Sequence, residues 1–171
     1  LLALVMVVGL LPTAAIPVFA VEESAEQPSV DSEGSILIWS YEQLVSVAKT
    51  ATKGGRYRLA TDIYQTDSTN DLMIWVRNQA YFSLDLNGHV LSRTTRSLDS
   101  VMIRVRDNST LYIYDSSPDK TGTCIYNITG GSGICSVIDN DGGDVIINGG
   151  NYIIEGEKIP DYAAVLLGLS G

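Results

Sequence analysis

After residue 70, apolar and polar residues alternate with period two, and the alternation comes in recurring blocks. Three times a short apolar strand is followed by an Asn/Asp turn, a second apolar strand and another turn. The blocks read LMIWVRNQAYFSLDLNG, VMIRVRDNSTLYIYDSS and CSVIDNDGGDVIINGG. In the first, Leu72, Ile74 and Val76 share one face, and Phe82, Leu84 and Leu86 share the face of the next strand. In the second, Val101, Ile103 and Val105 are followed by Leu111 and Ile113. In the third, Val137 or Ile138 is followed by Val145 and Ile147. Alternation of this kind, rich in Val, Ile and Leu, marks half-buried strands. Asn87-Gly88, Asp115-Ser116-Ser117 and Asn148-Gly149-Gly150 fall at equivalent places, where turns need Asn, Asp or Gly. A third short strand follows each: His89–Leu91, Thr123–Tyr126 and Asn151–Ile154.

A period of roughly 27–34 residues with no helix in between predicts stacked coils, because no block can bury its apolar face alone. Antiparallel hairpins would use the same strands, and Asn87-Gly88 is a good hairpin turn. The in-register recurrence favours coils, which would set Leu84, Ile113 and Ile147 in one column.

Ahead of the repeats the period changes. Leu44, Val47, Ala48 and Ala51 form a stripe at helical spacing. Ser40 and Gln43 have the spacing of a capping box, and Trp39 and Leu44 that of a hydrophobic staple. Gly54-Gly55 stops the helix, predicted from Tyr41 to about Lys53. It would cover the bare end of the first coil, whose open strand edges otherwise invite aggregation. Residues 56–63 read as one strand and 64–71 as a polar connection.

Residues 1–20 carry no charged side chain. The apolar run Leu1–Leu11 is short for a bilayer, which needs about 20 residues. Pro12, Pro17 and Val18-Phe19-Ala20 follow, the pattern of a secretory signal cut after Ala20. With no initiator methionine and no basic start, it reads as truncated. Residues 21–35 are acidic, small and polar, and read as a disordered linker. Residues 36–171 are then the cap and first rungs, with further rungs of the same chain expected beyond residue 171. The expected location is outside the cell or on its surface, with no stable membrane insertion after signal cleavage.

The 171 residues carry a formal charge of −9 and a pI near 4.4. That balance argues against nucleic acid, which needs clustered Lys and Arg. Cys124 and Cys135 either close a short disulfide loop or remain buried thiols. Their spacing matches no zinc pattern.

The segments VMIRVRDNSTLYIYDSSPDKTGTCIYN and SVIDNDGGDVIINGGNYIIEG resemble rungs of right-handed parallel β-helices of the pectin-lyase-like class. With the helix YEQLVSVAKTATKGG before them, residues 36–171 resemble the front end of large secreted bacterial surface proteins. The fold class expected is therefore all-β, a right-handed parallel β-helix (solenoid) with a short N-terminal capping helix. Such a fold hosts lyases, hydrolases and adhesins alike, so it does not choose an activity.

Candidate chemistry is sparse. Asp139, Asp141 and Asp144, with Gly142-Gly143 between them, have the oxygen donors and turn residues to wrap Ca²⁺, or else form a solvated turn. Lyases of the class that the chain resembles use such an ion and an Arg-type base, and Arg104 and Arg106 lie one repeat away. Asp85 and Asp144 are the remaining candidates for paired carboxylates. His89 reads as a surface histidine. Tyr112 and Tyr114 should point outward, where they can stack on sugar rings with Ser83, Asp85 and Asn148 beside them. The expected role is a non-catalytic adhesion, scaffold or glycan-binding segment whose partner is a polysaccharide or host surface glycan. The alternative is the leading rungs of a polysaccharide lyase or glycoside hydrolase acting on acidic polysaccharide.

Overall fold

The computed structural model describes residues 29–50, 55–66, 72–96, 100–130, 134–156, 159 and 163–168. The expected signal segment, residues 21–28 of the linker and the last residues of the expected helix lie outside them. The elements are β1 (Ile36–Ile38), α1 (Tyr41–Thr50), β2 (Gly55–Leu59), β3 (Ile63–Gln65), β4 (Ile74–Val76), β5 (Tyr81–Asp85), β6 (Val90–Thr95) and β7 (Val101–Arg106). They continue with β8 (Thr110–Tyr114), β9 (Thr123–Ile128), β10 (Cys135–Asp141), β11 (Asp144–Asn148), β12 (Asn151–Gly156) and β13 (Ala163–Gly168).

These strands form three parallel sheets. The first is ordered β1-β2-β5-β8-β11, the second β3-β6-β9-β12 and the third β4-β7-β10-β13. From β2 onward the chain visits first, second and third sheet in turn, four times over. Each lap lies on the one before, as the sequence period requires. The only antiparallel pairing among the described residues is the bridge of Val30 to Ile36.

Register turns the period-two pattern into columns. Tyr57, Leu84, Ile113 and Ile147 are successive partners in the first sheet, so the expected column is present. Ile63, Leu91, Cys124 and Tyr152 align in the second. Ile74, Ile103, Ile138 and Leu166 align in the third. The interior members are fully buried and form one apolar core. Both cysteines are free and buried, which settles that alternative in favour of thiols.

Helix α1 starts where the capping pattern puts it. The Gln43 N–H donates to Ser40 Oγ (3.2 Å), and Gln43 Oε1 accepts from the Trp39 N–H (2.8 Å). Leu44 and Ala48 are buried, but Trp39 stays half exposed and donates from Nε1 to Ser29 Oγ (3.2 Å). The helix packs against β1, β3 and β4, the leading strands of the three sheets.

Three local expectations change. The single strand over 56–63 breaks at Ala60–Asp62, which turn the corner from first to second sheet, with Asp62 Oδ1 accepting the Val90 N–H of the next lap (3.0 Å). Tyr64 and Gln65, expected in a connection, belong to β3. The linker is structured from Ser29. Asp31 Oδ1 accepts from the N–H groups of Glu33 (2.9 Å) and Ser35 (2.8 Å), and Gly34 (φ 82°) closes the turn. Charge supplies the anchor that low hydrophobicity lacks, because Arg58 binds Asp31 (2.7 Å) and Glu33 (2.6 Å). Residues 29–35 thus form a strap paired to the outer edge of β1 through the Val30–Ile36 bridge and the Leu37 N–H, which donates to the Ser29 carbonyl (2.8 Å). No helix among the described residues is long and apolar enough to cross a membrane.

Candidate functional site

The corners are built by Asx residues bonding along the tube axis. Asp85 Oδ1 accepts from the N–H groups of Asn87 and, one lap on, Ser116, both at 2.9 Å. Its Oδ2 accepts from Ser116 Oγ (2.6 Å) and Arg58 Nε (2.8 Å). Asp115 repeats the device, holding Ser117 N–H (3.0 Å), Gly88 N–H (2.9 Å) and Gly122 N–H (2.7 Å). Burial alone would raise the Asp115 carboxyl, but these donors outweigh it and keep it below the ordinary carboxylate range. At the next corner Asp107 Oδ2 accepts the Asn78 N–H (3.3 Å), and Asn140 closes its turn on Gly143 through two bonds of 2.9 Å. A Cβ on Gly143 would lie 2.6 Å from the Ser109 carbonyl oxygen, so only glycine fits there.

On the outer face of the first sheet, Arg56, Ser83, Tyr112 and Ile146 form one row across the laps. Arg58, Asp85, Tyr114 and Asn148 form the next. Tyr112 and Tyr114 are half-buried and stack on each other, with ring centroids 5.1 Å apart and planes 21° from parallel. Asn148 Nδ2 donates to the Tyr112 hydroxyl (3.1 Å). Burial raises the Tyr114 hydroxyl above its ordinary value, and the nearby Asp85 carboxylate adds to this.

Asp85 does not join these tyrosines as a contact residue. Its side chain is fully buried, and both its oxygens are engaged by the turns and by Arg58. Nor does it pair with Asp144, which aligns with Thr110 in another row.

The outer face of the third sheet carries the remaining charged candidates. Trp75, Arg104 and Asp139 form one row, and Arg106 lies opposite Asp141 in the next. Arg104 Nε donates to Asp139 Oδ2 (2.7 Å), and Arg106 pairs with Asp141 (2.5 Å). Arg77 lies over the Trp75 ring, 4.0 Å from its centroid. The carboxylates expected to wrap a cation are thus spread. Asp139 and Asp141 face arginines across the laps, and Asp144 opens β11. Among the described residues no group of three or more His, Cys, Asp or Glu side chains is placed to hold a metal ion. His89 Nδ1 lies 3.1 Å from Asp62 Oδ1 on a partly exposed corner.

Sequence reasoning missed a polar column inside the tube. Gln65, Arg93 and Tyr126 are successive partners in the second sheet, and all three are buried. Arg93 donates to the Val101 carbonyl and lies 6.0 Å from the Tyr126 ring centroid. Ser100 Oγ bonds the Tyr126 hydroxyl, and Gln65 Nε2 donates to the Tyr41 hydroxyl (2.8 Å). Burial raises the Tyr126 hydroxyl, although the Ser100 bond and the Arg93 charge work against it. The alternation itself carried the signal, since Leu91 facing inward puts Arg93 and Thr95 inward too. Through its bond to the Val101 carbonyl the Arg93 guanidinium ties the second sheet to the third.

No protein-family model, curated protein or solved structure matches the chain.

Proposed function

We propose that this chain is the capped leading part of a right-handed parallel β-helix of the pectin-lyase-like class. On this reading it is exported through the apolar segment 1–20 and displayed at the cell surface, where it binds polysaccharide or host glycan without catalysing a reaction. The three-sheet parallel order and the helix over the leading strands support the class. Parallel crossovers are right-handed in about 98% of cases, which supports the hand.

The observation that carries the binding role is the stacked Tyr112–Tyr114 pair with Asn148 on the outer face of the first sheet. The half-buried rings offer apolar area, and the hydroxyls and the Asn148 amide offer hydrogen bonds, the mixture that a sugar presents in return. By contrast, Arg104 and Arg106 are neutralised by Asp139 and Asp141, which suits structure better than proton abstraction. A glycan array with the full chain tests the role. Tyr112→Ala and Tyr114→Ala should each weaken binding by up to about tenfold, the equivalent of about 1.4 kcal/mol for an aromatic contact. Binding that survives both changes would refute the site, and no binding to any glycan would leave a scaffold.

A further inference from the structure

The outer face of the first sheet continues the Tyr112 row back towards β2. One lap before Tyr112 stands Ser83, and two laps before it stands Arg56. Laps lie about 4.8 Å apart, so the Cα atoms of Arg56 and Tyr112 are about 10 Å apart along the tube axis. All three strands are interior to the sheet, β2 between β1 and β5, β5 between β2 and β8, and β8 between β5 and β11.

The two outward cations of β2 differ. Arg58 is bound by Asp31, Glu33 and Asp85. Arg56 is exposed, and its side chain has no ion pair or hydrogen bond among the described residues. The strap carboxylates that could neutralise it both reach Arg58 instead. Asp144, in the Thr110 row, is three laps away. Ser83 points outward between the inward Phe82 and Leu84, yet it is only 3% exposed. Its longer neighbours overshadow it, Arg56 and Tyr112 in the row and Tyr81 along the strand. The Ser83 hydroxyl bonds to no described group. A short polar residue between two long ones makes a notch with a hydroxyl at its floor, a guanidinium on one side and a phenol on the other.

We infer that this row binds a glycan carrying an anionic substituent, a carboxylate or a sulfate, held by Arg56 and Ser83 while a neighbouring sugar unit packs on Tyr112. The inference rests on the Tyr112–Tyr114 reading above and adds the charge of the ligand and its direction along the tube. A guanidinium offers two parallel N–H donors that match two oxygens of either anion. The Ser83 hydroxyl adds a third donor from below. The chain as a whole carries −9 and repels polyanions at long range, so a preference for them has to come from a local cation of this kind.

Binding of the full chain to immobilised dextran, carboxymethyl-dextran and dextran sulfate tests this, since the three share one sugar backbone. At least one anionic form should bind about tenfold more tightly than dextran, the size expected of a hydrogen-bonded charge pair. Tighter binding of the carboxymethyl form assigns a carboxylate, and of the sulfated form a sulfate. Arg56→Gln should abolish the preference, and Ser83→Ala should lower it about threefold. Arg77→Gln removes another exposed cation, at the end of β4 on the third sheet, and should leave the preference in place. Equal binding of the three polymers, or a preference that survives Arg56→Gln or falls as far with Arg77→Gln, would overturn the inference and leave the tyrosine site standing. A preference that needs Arg56 but is untouched by Tyr112→Ala and Tyr114→Ala would refute the tyrosine reading instead, and no binding to any of the three would overturn both.

Discussion

Ile113 and Ile147 stand in one column but at different depths in the stack, and truncating each to alanine separates interior from end. Ile113 has no exposure and lies between Leu84 and Ile147, whereas Ile147 is 39% exposed and, among the described residues, has a strand neighbour on one side. Ile→Ala in a core costs about 2–5 kcal/mol, the upper part reached where the site cannot collapse. Hydrogen bonding fixes the laps about 4.8 Å apart, so the void at Ile113 stays open and the cost should approach 4 kcal/mol. At Ile147 the space opens to water and leaves no cavity term. Full burial of an Ile side chain is worth about 1.5–3 kcal/mol, and roughly three-fifths of that gives about 1–2 kcal/mol. With a urea dependence of about 1–3 kcal/mol per molar, the midpoint should fall about 0.7–3 M further for Ile113→Ala than for Ile147→Ala. Equal shifts, or a larger one at Ile147, would refute the stacking argument.

Other outcomes follow from the same geometry. Burial pushes the Cys124 thiol up to about 12, and both cysteines are shielded from solvent, so neither should react with a thiol reagent in native buffer, and both should react after unfolding. Rapid native labelling would contradict their placement. Asp31 is lowered by the Ser35 N–H, and Asp62 by the Val90 N–H; Asp115 is lowered by donors that outweigh its burial. A folded value below the unfolded one gives stability that is full above the unfolded pKa and lost as pH falls through the folded pKa. The urea midpoint should therefore be flat near neutrality and drop below about pH 4; a midpoint that holds or rises on acidification would count against these bonds. Sequencing the N-terminus of secreted protein should find Val21 first, and any retained residue of 1–20 would exclude the expected cleavage.

The columns were legible because Leu84, Ile113 and Ile147 recur with the turns that follow them, and stacking needs little beyond that recurrence. The helix start was legible because Ser40 and Gln43 act locally. What escaped depends on neighbours distant in sequence. The inward phase of Tyr57 and Leu59 continues through Ile63 and Gln65 across the Ala60–Asp62 corner, so two strands read as one. Ser29–Ser35 has too little apolar surface to order itself and is held by Arg58 from another strand. Asp85 looks like any outward strand residue until the Ser116 turn and Arg58 close over it. The pairing of Arg104 with Asp139 spans 35 positions and appears only once the register is set.

The winding of the strands is tested most directly by nuclear Overhauser contacts on the isotope-labelled chain. Methyl contacts of Leu84 with Ile113 and of Ile103 with Ile138, together with the backbone pattern of parallel strands between Ser83 and Tyr112, are the predicted result. Close Hα–Hα contacts between β5 and β6, as in an antiparallel hairpin across Asn87-Gly88, would contradict it.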